Sequence, residues 1–171
     1  MSVSGLGELN VQLDKISASV SDPAYVVQAA TFVRSAAALL APVHDGYLRQ
    51  SIDWDVEVNG SQINGAVFTD LEYAPYVELG TGPKGAMNHE GISPNVTPVY
   101  SVEPWWIHES QIDPGIGEFY HWPHIDTEAG RFYKCSGQAA QPFLYPALKD
   151  NEQTVLDILK RGIRKAMEDA T

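Results

Sequence analysis

The chain has little cysteine, few basic residues and no long apolar run. Cys135 is the single cysteine among 171 residues, which excludes intramolecular disulfides and indicates a reducing compartment. No segment approaches the roughly 18 consecutive apolar residues that a transmembrane helix requires. Residues 1–10 also lack the basic start and apolar centre of an export signal. These absences predict a soluble protein that is not exported.

Acidic residues dominate the charge: 22 aspartates and glutamates stand against 11 lysines and arginines, for a net charge of −11. Sequence-specific nucleic-acid binding needs a basic footprint, so this balance speaks against it. Residues 141–171 alone are balanced, and their bases cluster at Lys160, Arg161, Arg164 and Lys165. Either this cluster contacts the acidic body of an identical subunit in head-to-tail packing, or it only complements the C-terminal dipole of the last helix. The sequence leaves both interpretations open.

Three segments have the apolar spacing of amphipathic helices. The first repeats apolar residues at intervals of three and four from Leu6 to Val20. The second runs from the capping pair Asp22-Pro23 to Pro42, and its alanines favour close packing against a sheet or another helix. The last starts near Pro146 or Asp150. Its expected buried face consists of Leu148, Val155, Leu159, Ile163 and Met167.

Between these helices the pattern changes to that of a β-hairpin. Apolar and polar residues alternate from Ser51 to Val58, and Asn59-Gly60 is a strong turn signal before a second strand from Ile63 to Thr69. Gly65 in the second strand is a candidate β-bulge. We therefore predict an α+β fold in which an antiparallel sheet is covered on one face by a long N-terminal helix and a C-terminal helix.

A short helix with an aromatic face follows the hairpin. Tyr73–Leu79 has aromatic and apolar residues at helical spacing, and Gly80-Thr81-Gly82-Pro83 is a combination that ends helices. We expect the helix to pack by its aromatic face and to be followed by a long loop.

Residues 81–136 are irregular, and we interpret them as an insertion into a single domain, 1–171, whose core is 1–80 and 137–171. A structureless loop of this length is improbable, so at least one hairpin is expected inside it. The candidate strands are Val99–Val102, Trp105–His108 and Gly130–Cys135, and the candidate turns are Ser93-Pro94-Asn95, Asp113-Pro114-Gly115 and His121-Trp122-Pro123.

Aromatic residues are concentrated in this insertion. Trp105, Trp106, Tyr120 and Trp122 belong to the residue types that anchor protein interfaces. The same side chains would also serve as the small core of a hairpin. The sequence leaves that alternative open.

No motif in the chain predicts catalysis. His121 and His124 with Cys135 could supply three zinc ligands, but their spacing matches no common zinc pattern. The residues around Cys135 resemble no catalytic cysteine signature. The sequence GTGPKG at 80–85 lacks the spacing of a phosphate-binding loop and follows a predicted helix rather than a strand. We therefore predict no catalytic, cofactor-binding or metal-binding residue.

Three segments, in this order, resemble a family of tail-component or head–tail morphogenesis proteins of long-tailed double-stranded DNA phages. Residues 41–52 (APVHDGYLRQSI) are similar to the family's helix end at Ala-Pro-Val, its turn with glycine and its Leu-Arg-x-Ser-Ile entry into a strand. Residues 73–83 (YAPYVELGTGP) are similar to its Tyr-Ala-x-Tyr-Val-Glu-Phe/Leu-Gly-Thr-Gly. Residues 137–148 (GQAAQPFLYPAL) are similar to its Gln-Pro-Phe-Leu-x-Pro-Ala-Leu before the last helix.

The resemblance implies that the matching residues have structural roles. They are Pro42, Gly46, Leu48, Ser51, Tyr73, Tyr76, Glu78, Gly80, Thr81, Gly82, Pro142, Phe143 and Pro146. Two features depart from the pattern. Residues 84–130 form a longer segment than in compact members, and His44 stands near a position that is often small or acidic.

The resemblance implies a non-enzymatic virion protein without a cofactor. Its expected role is that of a tail-completion or connector ring subunit that joins the tail to the DNA-filled head. The expected partners are further copies in a ring, often six-fold, a neighbouring connector or stopper protein and the tail tube protein. DNA would pass without specific binding, no membrane would be involved, and assembly would take place in the host cytoplasm.

Two other functions remain open at this stage. The first is a small metal-dependent hydrolase that uses His121, His124 and an acid. The second is a prophage-encoded binding module for a host protein.

Overall fold

A computed structural model describes residues 22–60 and 62–169. The predicted helix from Leu6 to Val20 lies outside these ranges. Among the described residues, 22–71 and 143–169 form one compact unit, and 72–142 form a second. These limits differ from those that the sequence suggests for the insertion, residues 81 and 136.

The described elements, in chain order, are α1 (Ala24–Leu40), α2 (Tyr47–Ser51), β1 (Asp53–Asn59), β2 (Gln62–Phe68), α3 (Ala74–Leu79), α4 (Gly82–Met87), β3 (Trp105–His108), a 3-10 turn (Glu109–Gln111), α5 (Ile116–Phe119), β4 (His124–Thr127), β5 (Gly130–Cys135), α6 (Leu144–Lys149) and α7 (Glu152–Asp169). Helices combined with antiparallel strands confirm the predicted α+β class.

In the first unit, β1 and β2 form the predicted hairpin. The strands pair in register from Asp53 opposite Phe68 to Asn59 opposite Gln62. This continuous pairing shows that the bulge expected at Gly65 is wrong. Gly65 has a packing role instead, because a Cβ there would lie 2.9 Å from Cγ1 of Val26 on α1. Helix α1 therefore approaches the inner face of the hairpin at a point where only a glycine leaves room.

Helix α1 is the centre of this unit and packs against the hairpin, α6 and α7. Its buried residues are small: Ala29, Ala30, Val33 and Ala37. The predicted alanine-rich helix is thus confirmed, together with its stop before Pro42. Asp22 accepts a hydrogen bond from the N–H of Ala24 at 2.9 Å, but the helix begins at Ala24 and its N-cap residue is Pro23 rather than the predicted Asp22.

The buried face expected for the last helix is partly wrong. Leu148, Ile163 and Met167 are 51%, 44% and 48% exposed. Ile158 and Ala166 are buried instead. Their face includes Gly162, where a Cβ would lie 2.0 Å from Cγ of Tyr25 on α1. Gly162 and Ala166 are thus the small residues of the buried face, whereas the larger Ile163 and Met167 are partly exposed.

The connection from α1 to β1 holds the matched residues of the first family-like segment. The N–H of Gln50 donates to the carbonyl of Gly46 at the start of α2, and Leu48 is buried. The hydroxyl of Ser51 lies 2.6 Å from that of Thr69, which ties the start of β1 to the end of β2. His44 is exposed, so its departure from the family pattern disturbs no packing.

The second unit contains a three-stranded antiparallel sheet in the order β3-β5-β4. The expected hairpin and the predicted strands Trp105–His108 and Gly130–Cys135 are confirmed. The strand predicted at Val99–Val102 is wrong: Val99 is 98% exposed, and the Tyr100 hydroxyl donates to the carbonyl of Leu79 at 2.7 Å. That hydrogen bond attaches the segment through a side chain. The long loop expected directly after Gly80 is also wrong, because α4 begins at Gly82.

The close approach of α1 and α7 gives a test of the first unit. Alanine in place of a helical glycine normally adds about 1 kcal/mol of stability, whereas overpacking costs about 1–3 kcal/mol. With a Cβ 2.0 Å from the Tyr25 ring, we expect Gly162→Ala to lower the free energy of unfolding by roughly 1–2 kcal/mol. Urea denaturation followed by circular dichroism measures this change. The exposed site Thr154→Ala on the same helix is the control, and an equal gain in stability in both variants would contradict the packing.

Candidate functional site

The chain segments at the two ends of the predicted insertion, 81–136, meet in an antiparallel pair between Thr81 and Gln138. The N–H of Thr81 donates to the carbonyl of Gln138 at 2.9 Å, and the N–H of Gln138 donates back at 3.1 Å. A side-chain bond from Gln138 Nε2 to the carbonyl of Tyr76 adds a third link at 2.8 Å. The family-like segments 73–83 and 137–148 are therefore joined by backbone pairing at this point.

Glycine is required where these segments cross. Gly80 has a φ of +77°, and a Cβ there would lie 2.7 Å from the backbone nitrogen of Ala140. At Gly137, with a φ of +74°, a Cβ would lie 2.0 Å from the carbonyl oxygen of Thr81. Both backbone conformation and space exclude a side chain. The Gly80-Thr81-Gly82 sequence is thus explained by architecture rather than by ligand binding.

An apolar groove of about 700 Å³ lies in the second unit next to α3. Tyr73, Tyr76, Val99 and Trp105 contribute to its wall, and none of its described lining residues is charged. Tyr73 and Tyr76 are 42% and 59% exposed. The aromatic face of α3, expected to be packed, is therefore half open. Glu78 lies on the same helix and has an interaction of its own.

The four aromatic residues proposed as interface anchors all lie in the second unit. Trp105 and Trp106 are neighbours on edge strand β3 and are 36% and 46% exposed. Tyr120 is 54% exposed and meets Phe119 edge to face, with ring centroids 5.0 Å apart. Trp122 is half-buried against Tyr133 and has the role of a core residue. Trp105, Trp106 and Tyr120 are thus partly exposed, whereas Trp122 is packed in the unit. The role of these residues in an interface stays a prediction.

An ion-pair network joins α5, β4 and β5. The guanidinium of Arg131 donates to Asp126 at 2.6 Å and to Glu118 at 2.7 Å. The hydrogen bond from Arg131, together with its positive charge, holds the pKa of Asp126 below its ordinary value. The sequence gives no sign of this network, because Asp126 and Arg131 meet through the register of β4 on β5, and Glu118 joins them from α5. It has a structural role.

The four basic residues proposed for the interface lie on α7, in the first unit. Lys160, Arg161, Arg164 and Lys165 are all exposed. Within residues 22–60 and 62–169, none of the four forms an ion pair with a carboxylate. Their charges are therefore available to a ligand or partner.

The outer face of the hairpin carries charge of the opposite sign. Asp53, Asp55 and Glu57 alternate along β1 with the residues that face α1, and all three are exposed. Across the hairpin they lie opposite Phe68, Ala66 and Asn64. No lysine or arginine occurs between residues 53 and 68.

The remaining matched residues support α6. Phe143 is fully buried and precedes the helix directly, with Pro142 before it. Pro146 lies in the first turn of α6, where a missing N–H costs no hydrogen bond. This segment therefore anchors the chain as it returns to the first unit.

The described residues provide no metal site. Across 22–60 and 62–169, no group of three or more His, Cys, Asp and Glu side chains is arranged to hold a metal ion. His121 and His124 are exposed, and Nδ1 of His124 lies 3.3 Å from the carbonyl oxygen of Trp122. Cys135 is half-buried at the end of β5.

Among the described helices, none combines the length and apolar character needed to cross a membrane. In a comparison with protein families, residues 7–80 match the family described as "Bacteriophage HK97-gp10, putative tail-component". Over these residues the chain is similar to phage tail-component proteins. No curated protein and no solved structure shows significant similarity to the chain.

The match confirms the resemblance to phage tail proteins over residues 7–80. Its range includes the predicted first segment, 41–52, and the second segment up to Gly80. It supports a structural role as a phage tail component, in the virion and in contact with other virion proteins. The third segment and the groove residues after Gly80 lie beyond the matched range.

The Arg131 network gives a prediction about pH. We expect the pKa of Asp126 to lie below the ordinary value and to rise toward it in Arg131→Ala, because the hydrogen bond and the positive charge are lost. Carboxyl NMR during an acid titration measures this value. In the wild type the stabilising contribution is complete above the unfolded-state pKa and is lost as pH falls through the lower folded-state pKa.

The control for this titration is Lys134→Ala, which removes a cation from an exposed site on the same strand. We expect it to leave the pKa of Asp126 unchanged. An Asp126 pKa that stays low in Arg131→Ala would show that Arg131 is not the cause.

Proposed function

We propose that this protein is a tail-completion or connector ring subunit that joins the tail of a long-tailed phage to its DNA-filled head. The match of residues 7–80 to a phage tail-component family carries the proposal. In the first unit this segment supplies α1 and the hairpin, around which α6 and α7 pack. The matched sequence is therefore the structural core of that unit.

A role without enzymatic activity fits the geometry of the second unit. Its groove has an aromatic and apolar wall with no charged residue among the described lining residues, and Arg131, Asp126 and Glu118 are engaged in ion pairs with one another. Aromatic surface of this kind is typical of protein interfaces. A hydrolase that uses His121 and His124 receives no support from the described residues.

The proposed partners follow from the same argument. Further copies of the chain form a ring, and the groove next to α3 contacts a neighbouring connector, stopper or tail tube protein. The net charge of −11 lets DNA pass through such a ring without specific binding, because acidic surface repels phosphates. The protein acts at the head–tail junction after assembly in the host cytoplasm.

The test is deletion of the gene from the phage that encodes this chain. We expect filled heads and separate, completed tails in electron micrographs of the lysate, because the two parts would form but not join. Supplying the wild-type gene in trans is the control and should restore infectious particles. Normal infectious particles without the gene would contradict the proposal.

A further inference from the structure

The first unit presents opposite charges on two faces. One is the outer hairpin face, defined by Asp53, Asp55 and Glu57, where no basic residue lies between positions 53 and 68. The other is the basic face of α7, defined by Lys160, Arg161, Arg164 and Lys165. Neither set forms an ion pair within the described ranges. The charges of both faces are therefore exposed and available to a partner of opposite charge.

Both faces point away from α1, the helix between them. Gly65 and Trp54 belong to the inner side of the hairpin, and Gly65 touches α1 through Val26. Asp53 and Asp55 lie on the opposite side, because side chains alternate along a strand. On α7, Gly162 faces Tyr25 of α1, so the basic residues at the exposed positions lie on other sides of the helix.

The two charged faces have matching repeats. Residues two apart on a strand are about 6.6–6.8 Å apart, which is the spacing from Asp53 to Asp55 and from Asp55 to Glu57. Residues four apart on a helix are about 6 Å apart along its axis, which is the spacing from Lys160 to Arg164. A helix laid along β1 can therefore place successive bases opposite successive acids.

Each charged face also carries apolar surface. On α7, Leu156 and Ile163 are 41% and 44% exposed and lie at helical spacing beside Lys160 and Arg164. On the hairpin, Phe68 is 44% exposed and lies opposite Asp53. Burial of these side chains would supply free energy of association, and the charges would fix the orientation.

We propose that the occupant is a second copy of the chain: the basic face of α7 in one copy binds the outer hairpin face of the next. This contact rests on the proposed function, since it names the faces through which the ring forms. The two faces differ, so the contact is heterologous and leaves one free face at each end of a dimer. Repetition of the same contact closes a ring if the rotation between copies allows it.

Charge reversal tests the contact by sedimentation velocity at low salt. Lys160→Glu/Arg164→Glu and Asp53→Lys/Asp55→Lys each place like charges opposite one another, and we expect each variant alone to self-associate at least about tenfold more weakly. An equimolar mixture of the two should recover association, because each variant then matches the other. Wild-type association should weaken as salt is raised.

The matched control is Glu90→Lys/Glu128→Lys, which reverses two exposed acids of the second unit. It changes the net charge as much as the hairpin variant does and should leave self-association unchanged. Circular dichroism and thermal unfolding confirm that each variant is folded. If the control weakens association as much as the hairpin variant, overall charge is the cause and the contact is overturned.

A second experiment locates the contact directly. In a Cys135→Ser background, Asp55→Cys combined with Arg164→Cys should give a ladder of disulfide-linked oligomers on oxidation. A variant that carries only Asp55→Cys, or only Arg164→Cys, should form no disulfide-linked species larger than a dimer. A cross-link confined to single chains, or a wild type that stays monomeric at about millimolar concentration, overturns the proposal. So does binding of the wild type to anionic vesicles or DNA through Lys160 and Arg164 without self-association.

Failure of this contact and failure of the proposed function give different results. If charge reversal has no effect while gene deletion still yields separate heads and tails, the connector role stands and the contact falls. If the ladder forms but deletion yields normal particles, the chain self-associates and the connector role falls.

Discussion

The structure of the first unit depends on how closely α1 approaches its neighbours. Ala29, Ala30 and Ala37 give this helix a narrow buried face, and glycines stand where it meets the other elements. Gly65 leaves room for α1 on the hairpin, and Gly162 leaves room for it on α7. Close packing of small side chains gains dispersion energy over many contacts, and it tolerates no added methyl group at these points. The positions of the hairpin and of α7 follow from this constraint.

This arrangement explains why the charged residues are free to act outside the unit. Because α1 uses the inner face of the hairpin and one side of α7, the acidic and basic residues are left on the remaining surfaces. The second unit is built differently, around a three-stranded sheet and a glycine-lined crossing where Thr81 pairs with Gln138. Its groove next to α3 is lined by aromatic and apolar residues.

Much of the fold was predictable because local pattern determines it. Alternation identified the hairpin, and the alanine-rich repeat identified α1. Which side of α7 faces solvent was not predictable. Large apolar residues are normally buried, but here Ala166 is buried and Ile163 is partly exposed. Strand β4 was missed because all four of its residues are exposed, which leaves no alternation to read. The groove next to α3 depends on the long-range bond from Tyr100 to Leu79, which no local pattern reveals.

We propose above all that this chain is a structural component of the joint between head and tail. Electron cryomicroscopy of the intact particle tests it most directly. We expect a closed ring at the head-proximal end of the tail whose density fits α1, the hairpin and α7 of this chain in successive copies. If other proteins explain all of the density at the joint, and this chain is absent from the particle, the proposed role is contradicted.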